Sequence, residues 1–234
     1  MNGFLRPLSL LESRVLGVLL EKERTVPDSY PLSLNTLTLG CNQKSARDPV
    51  LDASEAEVQA AVDALKALAL VFESSGSRVM RYTHNLPRVL RVGEPHAALL
   101  ALLMLRGPQT AGELRINAER LHKFTDIAAV DAHLEHLAAR PNDQGGPLVQ
   151  RLAPGPRGRE PRWAHLLCGP VDAGAATAAP AADADASHDG AASIAASEVA
   201  HLKQRIGALE SQVAALQASV QQLCTSLGVE PPKA

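Results

Sequence analysis

Val15-Leu16-Gly17-Val18-Leu19-Leu20 and Leu99-Leu100-Ala101-Leu102-Leu103-Met104 stand 84 residues apart and open two loosely matching stretches, Leu11 to His84 and Ala98 to His165. Farther on, Val58, Ala61, Leu65 and Leu68 answer to Ile127, Val130, Leu134 and Leu137, a spacing of 69. The drift assigns about fifteen extra residues to the first copy, placed at Gly40 to Asp52. An internal repeat decides the architecture before any single element does. Each copy reads as three helices followed by a hairpin, the layout of a winged helix. The expected fold class is mainly α with small β-hairpins (α+β): two tandem winged-helix domains, 8–93 and 94–170, plus a C-terminal coiled-coil helix.

Local signals fill in this outline. Leu10 to Glu23 has helical periodicity, with Leu11, Val15, Val18 and Leu19 inward and Glu12, Lys22 and Glu23 outward. Ser33 can cap a second helix carrying Leu34, Leu37 and Cys41, and Ser54-Glu55-Ala56-Glu57 has capping-box spacing for a third. Leu70 to Glu73 and Val79 to His84 form the first hairpin. In the second copy the helices run from Pro95 to Leu105, from a Thr110 cap to about Leu121, and from Thr125 or Asp126 to about Arg140. Leu148 to Leu152 then pairs with Arg162 to Leu167. The first helix of this copy is apolar on nearly every side, so it should be buried all round against the first domain.

The third segment differs in kind. Residues 171–197 are Ala, Gly, Asp and Pro with little to bury, which reads as a flexible linker. Residues 198–227 carry Val199, Leu202, Ile206, Leu209, Val213, Leu216, Val220, Leu223 and Leu227 alternately three and four apart. β-Branched residues dominate the first heptad position and leucine fills the fourth, the pattern of a parallel two-stranded coiled coil and hence a homodimer.

Charge narrows the function. Residues 1–93 carry eleven Lys/Arg against ten Asp/Glu, residues 94–170 nine against eight, and the rest three against seven. Neither domain has the basic excess of a dedicated DNA binder. Cys41, Cys168 and Cys224 form no CxxC pair, which argues against a disulfide framework or structural zinc. Glu12 and Arg14 interrupt any signal-peptide core, and the longest apolar run, Ala97 to Leu105, is far below a membrane span. The expectation is a cytoplasmic protein.

Several long sequence words resemble the YceH-like family of bacterial proteins: Leu19-Leu20-Glu21-Lys22-Glu23, Pro27-Asp28-Ser29-Tyr30-Pro31-Leu32-Ser33-Leu34-Asn35, Cys41-Asn42-Gln43-Lys44-Ser45, and Leu105-Arg106-Gly107-Pro108-Gln109-Thr110 followed by Gly112-Glu113-Leu114-Arg115. The likeness covers about residues 8–170. Val26 and Leu39-Gly40 depart from it. What it implies is tandem winged-helix domains, with no activity attached.

Two sets of residues are candidates for binding nucleic acid or a partner. Asn42, Gln43, Lys44, Ser45 and Arg47 form a dense run of donors that could meet phosphates or base edges. The competing reading is structural, with these side chains holding a long loop. Basic residues also gather on the hairpins: Arg78, Arg81 and Arg88 in the first, Arg151, Arg157, Arg159 and Arg162 in the second. A flexible Arg-Gly-Arg turn suits phosphates or a minor groove, and solvated charge is the bland alternative. The third helices, the usual reading heads, present Glu55, Gln59, Asp63 and Lys66, and Asp126, Asp131, His133, Glu135 and His136. Carboxylates there disfavour major-groove reading. Trp163 reads as a core anchor. His133 and His136 share a helix face beside Glu135 without an evident third ligand, and no phosphate loop or nucleophile motif occurs. A non-enzymatic protein without cofactor is therefore expected. It would bind nucleic acid through hairpins and inserted loop or, alternatively, serve as a scaffold for a protein partner.

Overall fold

The computed structural model describes residues 6–74, 79–154 and 160–171, all within one compact unit, Met1–Ala179. It is a mixed α+β structure with seven α-helices and two small antiparallel sheets among those residues. In order these are α1 (Leu10–Thr25), β1 (Leu32–Ser33), α2 (Leu34–Cys41), α3 (Glu55–Ala67), β2 (Val71–Ser74), β3 (Arg81–His84), α4 (Leu86–Leu90), α5 (Glu94–Arg106), α6 (Ala111–Asn117), α7 (Ile127–Ala138), β4 (Val149–Leu152) and β5 (Arg162–His165). Arg78, Arg157 and Arg159, the residues of 171–197 beyond Val171 expected as a linker, and the 198–227 heptads lie outside the described residues.

The helix starts follow from the caps. Ser33, Ser54, Thr110 and Asp126 each accept a backbone N–H from three residues on, and Ser54–Glu57 and Thr110–Glu113 close full capping boxes. Ser9 and Glu12 do the same at α1. Glu12 was expected on the outer face. It is buried instead, because its carboxylate turns back to the Ser9 N–H at 2.7 Å and takes two hydrogen bonds from Arg6.

The caps also correct the repeat register. Val58 stands four residues after its cap Ser54, as Val130 does after Asp126, so the third helices align at 72 residues, not 69. Val58, Val62 and Leu65 thus match Val130, Leu134 and Leu137, all buried, while Ile127 is half exposed. The extra residues of the first copy are likewise not one insertion at 40–52. They are shared among a longer α1, the connection 26–33 against 107–110, and the connection 42–54 against 118–126. Helix α6 ends at Asn117, short of Leu121, and the chain continues in turns closed by Leu121 N–H to Ala118 O at 2.7 Å.

α1 and α5 form the centre. Every residue from Ala97 to Leu105 is buried, as an all-round apolar helix requires, and α5 packs chiefly along α1. Close approach depends on Gly17, where an added Cβ would lie 2.9 Å from Leu105 Cγ and 3.3 Å from Met104 Cβ. The first sheet has order β1-β3-β2, with Leu32 paired to Tyr82. The second has β4 and β5 only, but Gln109 and Trp163 bridge through two backbone hydrogen bonds of 3.1 and 2.7 Å in the place that β1 and β3 occupy in the first half. Neither the two-residue strand nor the short α4 follows from sequence periodicity. Among the described residues no helix is long and apolar enough to cross a membrane.

Candidate functional site

The connection 42–54 holds the densest polar run, and most of its groups point into the protein. Arg14, fully buried in α1, donates to Cys41 O at 3.2 Å and Pro49 O at 2.7 Å. Burial, and then the neighbouring Arg47, pull its pKa below the usual arginine value. Arg47 donates to Gly40 O at 3.1 Å, to Ala46 O at 2.8 Å, and to both Glu21 oxygens at 3.2 and 2.6 Å. Its side chain is 0% exposed, so it has no face left for a phosphate. Burial alone would raise the Glu21 pKa, but the hydrogen bonds and charge of Arg47 outweigh it and hold the carboxyl below its ordinary value. Asn42 is spent on Ala53, whose N–H and carbonyl it meets at 2.9 and 2.8 Å. Gln43 donates to Ser45 O at 3.0 Å. Only Lys44 and Ser45 of this run face solvent. Cys41 beneath it is inert, its thiol pushed up to about 12 by burial.

The hairpin arginines fall into two groups. Arg81 donates to Pro31 O at 2.8 Å, and Arg162 donates to Pro108 O at 3.3 Å while approaching Glu113 at 3.4 Å. These are the same contact made twice: in each half an arginine that begins the last strand clamps the proline before the second helix. Arg151 sits 5.9 Å from the Trp163 ring centroid and 3.6 Å from Glu135. Arg88 is exposed on α4. Trp163 is buried, as expected of a core anchor, and donates to Asp131 at 3.3 Å. Tyr82 makes the matching bond to Gln59 at 2.9 Å.

The exposed edges of the third helices are acidic. Glu55 and Asp63 face solvent, with Asn35 donating to Glu55 at 3.0 Å. Asp126 caps α7 by accepting from the Ala129 N–H at 2.7 Å. The large apolar side chains left in water lie elsewhere. Leu39 on α2 and Ile116 on α6 are both 66% exposed, and they occupy the same position of the second helix in each half. Phe72, Val79 and Met80 are exposed on the first hairpin, and Ile127 at the start of α7.

His96, which sequence reasoning did not single out, joins the His133–His136 pair. His96 Nε2 lies 3.2 Å from His133 Nδ1, and its ring stacks on His136 at 5.0 Å. Its position at the start of an otherwise apolar helix was the available signal. Among the described residues no three His, Cys, Asp or Glu side chains converge on one metal position.

The molecule is thus an α+β protein of two helix-and-hairpin halves around a shared core, with most of the polar groups of the connection 42–54 turned inward. The family model described as "Protein of unknown function, DUF480" matches residues 8–157. The chain belongs to this bacterial family, in keeping with the resemblance carried by its sequence words. It is 58% identical over 224 residues to a UPF0502 protein of Acidovorax sp. (strain JS42), with 96% of each chain covered. It is 53% identical over 226 residues to one from Albidiferax ferrireducens, covering 97% of this chain and 93% of the other.

Proposed function

We propose that this is a non-enzymatic binding protein built from two tandem winged helices, and that its working surface meets a protein partner. One observation carries the reading. The same position of the second helix, Leu39 and Ile116, presents a large apolar side chain to water in both halves; one exposed apolar side chain is ordinary, and its recurrence at the matched position is what marks a surface. Two further facts support it: the third helices offer carboxylates, and the connection 42–54 spends Asn42 and Arg47 on its own fold. The winged-helix assignment is supported by the repeated order of three helices and a hairpin, and by the Leu32–Tyr82 and Gln109–Trp163 pairings. A homodimer through the 198–227 heptads belongs to the same proposal. The test is capture from nuclease-treated lysate with the full chain as bait. A specific protein should be retained by the unaltered chain and lost on Leu39→Ser with Ile116→Ser. Unchanged capture by that variant would refute this surface.

The basic hairpins favour a second reading, binding of nucleic acid through Lys44, Arg81, Arg88 and the tip residues Arg78, Arg157 and Arg159. It predicts salt-steep, weakly selective binding to duplex DNA, because phosphate contacts release counterions. Fluorescence anisotropy with random duplex at ~50 mM salt decides. Binding that weakens on Arg157→Ala with Arg159→Ala would establish it, and no binding would leave the protein-partner reading alone.

A further inference from the structure

We propose that His96 and His133 form a two-imidazole site for a borderline transition-metal dication such as Zn2+, held between the first turn of α5 and the exposed side of α7. The geometry carries the inference. Two imidazole nitrogens bound to one ion at ~2.0–2.1 Å and a tetrahedral angle stand about 3.3 Å apart, and His96 Nε2 and His133 Nδ1 stand 3.2 Å apart. Their rings meet edge to face at 81°, so the two rings do not stack on each other.

The neighbours fix both rings. His136 stacks on His96 at 19° between planes, and Phe124 packs edgewise on His133 at 5.6 Å between centroids. Without metal the pair shares one hydrogen bond, one nitrogen donating to the other. Coordination by both then requires the donor ring to carry its proton on its other nitrogen instead, a tautomer change with no net proton released. At pH 7.5 an imidazole of ordinary pKa, about 6.5, is already mostly in the neutral, ligating form.

The surroundings set the selectivity. No carboxylate stands among the groups that shift His96 or His133, and Arg140 and the positive end of α5 oppose a bare cation. Hard ions such as Mg2+ and Ca2+, which require oxygen ligands, are excluded, while Zn2+, Ni2+ and Cu2+ suit imidazole. Water completes the coordination on the open side, since His133 and His136 lie toward the surface.

The experiment is calorimetric titration of the full chain, stripped with chelator, with ZnCl2 at pH 7.5 and with MgCl2 as the contrasting ion. Zn2+ should bind, Mg2+ should not, and His133→Ala and His96→Ala should each remove one equivalent per chain with circular dichroism unchanged. If His96→Ala unfolds the helix, imidazole nitrogen NMR of the unaltered chain replaces it: Zn2+ should shift the His96 and His133 resonances together. Zn2+ uptake unchanged in His133→Ala, resonance shifts confined to other histidines, or no Zn2+ uptake by the unaltered chain would overturn the proposal.

Discussion

Arg47 meets Glu21 in a two-bonded fork, Nη2 to Oε2 at 2.6 Å and Nη1 to Oε1 at 3.2 Å, from a side chain that water does not reach. The pair ties the connection 42–54 to the last turns of α1. Removing one partner of such a pair strands the other and costs more than the pair itself contributes. Arg47→Ala should therefore lower the unfolding free energy by roughly 3 kcal/mol, read as a fall in urea midpoint. Because the Glu21 carboxyl is held below its ordinary pKa, its contribution is complete above the unfolded value and lost as pH falls through the folded one. The variant should accordingly show a shallower loss of stability on acidification.

A second pH dependence has a different origin. Burial pulls both His96 and His165 down to about 4. In this direction the unfolded chain takes up protons first. Stability should be level above about pH 6.5, decline as pH falls from there toward 4, and flatten below. Thermal midpoints between pH 7.5 and 5 in low-salt buffer would follow the decline, and His96→Asn should make it less steep. An equal slope in that variant would mean that His96 does not contribute.

The α1–α5 crossing makes a packing prediction. Gly17 leaves no room for a side chain against Leu105, so Gly17→Val should destabilise by about 1–3 kcal/mol through overpacking. Combined with Leu105→Ala it should cost much less than the sum of the two single changes, because the smaller residue vacates the space. A denaturation double-mutant cycle gives the coupling directly. Gly40→Ala tests the same idea at α2, where the new Cβ would come 2.6 Å from Val18 Cγ1.

The heptads at 198–227 make a prediction about assembly. Leu209→Asp with Leu216→Asp buries unpaired carboxylates in any dimer seam. Light scattering should then report the altered chain as a monomer and the unaltered chain as a dimer. A dimer of unchanged mass would place the association elsewhere.

The elements were legible wherever a cap and a period agreed. Ser33, Ser54, Thr110 and Asp126 marked helix starts, and the apolar run 97–105 announced a buried helix. Apolar periodicity alone leaves a helix free to slide by one turn, which is why Ile127 was matched to Val58 until the caps set the register. The strand Leu32–Ser33 is too short to have a period. The polar run at Asn42–Arg47 was visible but its direction was not, since the same donors serve a loop interior or a phosphate. The buried Arg14 was the sign that carbonyls from this loop had to close over it.

The backbone N–H of Asp48 donates to the carbonyl of Leu105 at 2.8 Å, so the connection of the first half finishes the last turn of the central helix of the second. With the α1–α5 packing and the Leu8 N–H to Leu167 O bond at 2.8 Å, it joins the two halves, which should therefore unfold as one unit. Amides in the cores of α1 and α5 should exchange with solvent hydrogen at a common slow rate, governed by one global opening. Expressed alone, the second half would bare the α5 face that packs on α1 and fail to hold native structure. The two halves would then depend on each other, and a substitution that opens this seam should loosen both at once, whereas one on the outer surface of either half should not.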